Sequence, residues 1–245
     1  MVKMLKESLL TQSSLLESFR AGGHDEGHLM DNKPIEPEAF FNEAAYRLPR
    51  LAQEVDSEVI PHLEQHAGKW HPLGFAVYPL GVDGVGCSLR LHVWPRAKRR
   101  VESFGPNIHN HAWQLSSYVM RGKYVDTLFD KVNVGGRDES VLIYFPFQLS
   151  YGEGGVNNLN PQGGQVALLP LETRVVGEGK IHHIKDDVFH LPEIEETLLT
   201  ATLVLDSPAL PYDTTVLLGA PEQISFSREP VTPEQTEQIK GELCA

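Results

Sequence analysis

The chain has 245 residues, a hydrophobic content of 41% and a formal net charge of −12. That length and apolar content suffice for one sizeable core, and the negative charge gives no long-range attraction to phosphate backbones or anionic lipid, so nucleic acid and membrane are excluded as primary partners. Two cysteines, Cys87 and Cys244, make neither a disulfide framework nor a thiolate zinc site.

In chain order, the first expected element is a helix from Lys3 to Arg20, carried by Leu5, Leu9, Leu15 and Phe19 and stopped by Gly22-Gly23. Residues Gly22 to Lys33 are polar and read as a linker, with His24 and His28 as solvated linker histidines. A second helical stretch runs from Glu38 to about His66, with a break expected at Pro49 and a kink at Pro61. Its apolar stripe is Phe40, Phe41, Ala44, Leu48, Leu51, Val55 and Val59. Neither helix holds a core alone, so residues 1–73 are expected to pack on the β-rich part of the chain.

From Gly74 the texture changes. Short β-branched or aromatic runs recur at Gly74 to Leu80, Ser88 to Trp94, Ser116 to Leu128, Val141 to Phe147, Val166 to Leu171, Leu198 to Leu205 and Thr214 to Leu218. Many short strands without intervening helices predict a mainly β sandwich or barrel over residues 74–228. Lys98-Arg99-Arg100 reads as a solvated loop, and the Gly/Asn-rich segment Tyr151 to Gln165 as a loop. Residues 229–245 close with a short helix, because Thr232-Pro233-Glu234-Gln235 supplies a cap, a first-turn proline and a capping glutamine.

The chemistry concentrates in Gly105-Pro106-Asn107-Ile108-His109-Asn110-His111. Histidines at i and i+2 of a strand project from one face. Two neutral imidazoles side by side in an interior each need a partner, and a divalent metal supplies one to both. Candidates for a third ligand are His190, His182, His183 and His92. His182 and His183 are adjacent, so only one of them can face inward on a strand. His92 shares a face with Arg90 and Trp94, and if that face lines a cavity Arg90 can hold an anion through paired hydrogen bonds. Trp113, Tyr124 and His183 complete the expected substrate-binding set with Arg90 and His92.

The run from Gly105 through His109-Asn110-His111 to Gly122 resembles the first motif of the cupin superfamily. The stretch Leu91 to Phe129 is similar to the cysteine-dioxygenase-type branch, and the likeness extends to His190, which follows Asp186-Asp187-Val188-Phe189 and precedes a strand ending at Ser207-Pro208. The resemblance covers roughly residues 74–210 and implies a cupin jelly-roll barrel with helices packed outside and a metal on His109, His111 and His190. The family pattern is not followed throughout. Nothing acidic stands between Ala112 and Arg121, Leu115 and Ser116 occupy the place of a crosslinked cysteine, and Thr202, Val204 and Asp206 replace a Ser-x-His-x-Tyr pattern. Phe75 to Tyr78 stand where an anchoring arginine would be. The resemblance therefore implies a non-haem Fe(II) dioxygenase acting on a small thiol, amino acid or related carboxylate. Its alternatives are zinc, nickel or manganese as the metal, and a redox-silent or purely binding cupin as the function. A cytoplasmic protein, an anionic small-molecule substrate, dioxygen as co-substrate and a homodimer complete the expectations.

Overall fold

A computed structural model describes residues 14–20, 35–96, 108–132, 142–151, 156–211, 213–219 and 224–245. The expected linker, the basic cluster at 98–100 and most of the first helix lie outside these residues, as does Gly105.

Three helices are described: α1 (Leu15–Arg20), α2 (Pro37–Glu54) and α3 (Pro233–Leu243). Glu54 ties α1 to α2 by accepting the Leu16 N–H at 2.8 Å and the Ser14 hydroxyl at 2.7 Å. The expected break at Pro49 does not occur, and α2 runs through it. The hydrogen bond that a proline forfeits is the one to the residue four earlier, here Ala45, whose exposed position leaves that carbonyl to water. The helix then widens into a π turn over Val55–Val59 and tightens into a 3-10 turn over Ile60–Gln65, with Pro61 in its first turn and His62 off helical geometry. At α3 the expected cap is present on both sides: the Thr232 hydroxyl accepts from the Gln235 N–H and the Gln235 side chain accepts from the Thr232 N–H.

Fourteen strands are present among the described residues: β1 (Lys69–Trp70), β2 (Ala76–Val82), β3 (Ser88–Trp94), β4 (Ile108–His109), β5 (Leu115–Arg121), β6 (Lys123–Val132), β7 (Leu142–Tyr151), β8 (Val156–Pro161), β9 (Val166–Gly177), β10 (Ile181–Ile184), β11 (Phe189–Glu193), β12 (Thr200–Asp206), β13 (Thr215–Leu218) and β14 (Ile224–Ser227). They form two antiparallel sheets, in the orders β1-β2-β3-β12-β5-β10 and β13-β4-β11-β6-β9-β7-β8-β14. The inner quartets β3-β12-β5-β10 and β4-β11-β6-β9 are the two facing sheets of a jelly roll. The expected fold class is thus the observed one. β13 pairs with β7 as well as with β4, so the second sheet folds back on itself.

The segment read as a loop contains β8. It is a ribbon strand paired on both sides, with β7 and with β14. Asn157, Asn158 and Asn160 disguise it in the sequence, while Leu159 alone supplies a deeply buried apolar anchor.

The period of two in the strands divides the first sheet into a helix-covered face and a cavity face. Leu89, Leu91 and Val93 of β3, with Ala201, Leu203 and Leu205 of β12, join Leu48, Leu51 and Val55 in one core. Each fully buried leucine there is worth roughly 2 kcal/mol. The intervening residues Arg90, His92, Trp94, Thr202 and Val204 line the space between the sheets. No helix among the described residues is long and apolar enough to cross a membrane.

Candidate metal centre

β4 is two residues long, yet it is held on both sides. His109 pairs with His190 of β11 and with Val216 of β13. Asn110, between the two histidines, is buried and locks the strand end. Its backbone N–H donates to the Thr215 carbonyl at 3.1 Å, its side-chain oxygen accepts the Thr215 N–H at 2.6 Å, and its side-chain amide donates to Asp187 at 2.7 Å. Asp187 turns the chain into β11 with a φ of +58°, and its own N–H donates to the His111 carbonyl at 3.1 Å. This network fixes His109, His111 and His190 as one rigid triangle.

One ring nitrogen from each of the three histidines lies within 4.8 Å of the other two. The Nε2 atoms of His111 and His190 are 3.1 Å apart. Two nitrogens about 2.1 Å from one ion and at a right angle lie about 3.0 Å apart, so the pair already stands at ligand spacing. His190 Nδ1 donates to the Asp126 carboxylate, 3.1 and 3.2 Å from its two oxygens, which leaves Nε2 as the lone-pair nitrogen facing His111. His111 Nδ1 is buried with no hydrogen-bond partner among the described residues. The donor set thus fits a divalent cation.

Asp126 itself is fully buried, on the inward face of β6. Burial alone would raise its pKa, but His190 and His182 beside it outweigh that and hold the carboxyl below the usual carboxylate range. His182 Nε2 lies 2.9 Å from Asp126 Oδ2, at ion-pair distance although its ring does not point a straight hydrogen bond at that oxygen.

The three histidines open on a cavity of about 160 Å³ between the sheets. Arg90, His92, Trp113 and Tyr124 all line it, as the sequence suggested. Arg90 is committed to the wall through an ion pair with Asp206 and sits 5.8 Å above the Trp113 ring. Burial pushes the Tyr124 phenol up, so it stays protonated. The expectation for His183 is corrected. Its Nδ1 lies 2.8 Å from the Ser116 hydroxyl and its ring packs on Phe41 of α2, outside the cavity. His182, opposite the cavity-lining Ser117 in the register of β10 on β5, takes the inward position. Sequence reasoning missed Asp126, His71, Thr202 and Arg228, all of which line the cavity. For Asp126 a signal was present: Tyr124, Asp126 and Leu128 share one face of β6, so a carboxylate on a core-facing position marked it.

Three cavity histidines are held neutral. Burial is the main cause for each, reinforced by Arg228 and His109 at His71, by Arg90 and Arg228 at His92, and by His109 and His190 at His111. An unfolded chain binds protons at these positions below about pH 6.5, where the native one does not. Stability of the metal-free protein is therefore expected to be full above pH 6.5 and to fall as the pH drops through it. Denaturant unfolding between pH 8 and 5 should show uptake of more than one proton on unfolding; a flat profile would contradict it.

Fold and site together define a jelly-roll protein in which three histidines converge at one point of the cavity wall. No protein-family model matches the chain, and no curated protein matches it. Among solved structures it is similar to two described as oxalate oxidase, one of them in complex with glycolate. They are 16% and 14% identical, with TM-scores of 0.31 and 0.29, and cover 60% and 63% of this chain. A Drosophila melanogaster CENP-C domain is 10% identical with a TM-score of 0.28, covering 69% of this chain and 99% of its own. The chain spans 56% of the length of each oxalate oxidase chain. Similarities of this size add nothing to the strand order, on which the fold assignment rests.

Proposed function

We propose that this protein is a metal-dependent cupin enzyme, a non-haem Fe(II) dioxygenase acting on a small carboxylate, amino acid or thiol. The observation that carries the reading is the triangle of His109, His111 and His190 at ligand spacing on the wall of a small cavity. Those three residues would hold the ion, and Asp126 would keep His190 in the ligating tautomer. When bound, a ferrous ion with three neutral ligands supplies open positions for an anionic chelating substrate and for dioxygen. The chain's own contribution is to exclude bulk water with Trp94, Leu115 and Val204 and to face the substrate with the N–H groups of Trp113 and Arg228.

The test is oxygen consumption by protein loaded anaerobically with Fe(II) and offered a panel of small carboxylates, amino acids and thiols. Uptake with at least one class is expected, and His109→Ala should lose bound iron and uptake together while remaining folded. Normal turnover in His109→Ala, or turnover by the zinc-loaded protein without oxygen, would overturn the dioxygenase reading.

A further inference from the structure

The chain returns to the cavity at a place the histidine motifs do not reach. After β14, which is tied to β8 of the second sheet, the backbone crosses to the first sheet. Pro230 bridges Lys69, the Trp70 N–H donates to the Glu229 carbonyl at 2.8 Å, and the Val231 N–H donates to the Gly68 carbonyl at 2.8 Å. Arg228 sits on this crossing, between the two sheets, and lines the cavity. The same pairing sets it beside His71, the residue after Trp70, and the two interact electrostatically.

Arg228 differs from Arg90. Arg90 is neutralised by Asp206, which also accepts the Ser88 hydroxyl at 3.1 Å. Arg228 has no ion-pair or hydrogen-bond partner among the described residues, and its Nε is buried. A guanidinium can only donate. His71 Nδ1 accepts the Leu73 N–H at 3.2 Å, so its proton is on Nε2, another donor. Trp113 Nε1, buried and unpartnered among the described residues on the cavity wall, can only donate as well. Arg228 Nε and Trp113 Nε1 can only donate, and the cavity's other unpartnered groups among the described residues, Thr202 Oγ1, His92 Nε2 and His111 Nδ1, can donate as well, so the pocket suits an acceptor-rich ligand. A guanidinium left uncompensated at a buried atom selects a charged one.

We infer that the ligand is a small organic dianion, one anionic group held at the three-histidine centre and a second, a carboxylate, held by Arg228 with His71. The inference rests on the metal reading above and deepens it. Size agrees: a cavity of about 150 Å³ holds benzene, so 160 Å³ admits roughly six to nine non-hydrogen atoms. That range includes four- and five-carbon dicarboxylates.

The test uses the whole chain loaded with Ni(II), which keeps the site filled without oxygen chemistry, and titration calorimetry with succinate and glutarate against butyrate and pentanoate. Metal content is measured first. Dicarboxylates are expected to bind at least tenfold more tightly than the monocarboxylates of equal length. Arg228→Gln should erase that gap with metal content unchanged, and Arg228→Lys should retain part of it. Equal affinities, no binding of any probe to the metal-loaded protein, or an undiminished gap in Arg228→Gln would overturn the inference while leaving the metal centre standing. Wild-type protein that takes up no metal would overturn both.

Discussion

Replacing Asp126 by alanine is expected to cost about 3–5 kcal/mol of stability and to weaken metal binding by about 10- to 100-fold. The carboxylate is buried, receives the His190 Nδ1 proton and lies 2.9 Å from His182 Nε2. Its removal leaves two buried imidazoles facing an apolar gap. His190 is then free to rotate or to change tautomer, and a wrong tautomer puts a proton where the lone pair must be. Asp126→Asn keeps an acceptor oxygen for His190 and should fall between alanine and wild type in both measures. Denaturant unfolding of the metal-free protein separates the stability effect from the metal effect, which is read by competition with a chelator. Wild-type metal affinity in Asp126→Ala would show that the ligand triangle needs no support from β6.

Gly122→Ala is expected to be strongly destabilising. The residue turns β5 into β6 with a φ of +74°, and a Cβ there would stand 2.2 Å from the Leu199 carbonyl oxygen. Left-handed backbone costs a non-glycine residue about 1–2 kcal/mol, and moving the Leu199 backbone aside costs about 1–3 kcal/mol more. For a chain of this size a combined loss of about 3 kcal/mol corresponds to a fall in Tm of about 6–12 °C. Asp126 lies four residues further on in β6, so the variant should lose metal affinity as well as stability. A Tm within about 2 °C of wild type, less than 1 kcal/mol on this scale, would show that the Leu199 segment yields easily.

Much of this was legible in the sequence because the signals were local. His109 and His111 stand two apart, and alternation put Arg90, His92 and Trp94 on one face; both patterns need only the period of a strand. The third member was left open among four histidines, with His190 implied by the resemblance, and the structure groups His190 with His109 and His111. The features that escaped depend on pairing across long distances. Whether His182 or His183 points inward is fixed by the register of β10 on β5, which no local pattern states. Arg228 and His71 meet only because the segment after β14 pairs with β1, more than 150 residues earlier in the chain. Pro49 misled because its effect depends on which carbonyl it orphans, and β8 because three asparagines in six residues read as a loop while the strand is held by its pairing with β7 and β14.

The shortness of β4 has a consequence for biosynthesis. A two-residue strand cannot persist by itself, and both of its neighbours are remote in the chain, His190 about 80 residues later and Val216 more than 100. Loop-closure entropy must be met before those pairings form. While the chain is being made, His109 and His111 leave the ribosome long before anything can hold them. The ion can therefore be captured at full affinity only after residue 216 has emerged and folded back. On the metal reading proposed above, loading would follow the folding of the barrel.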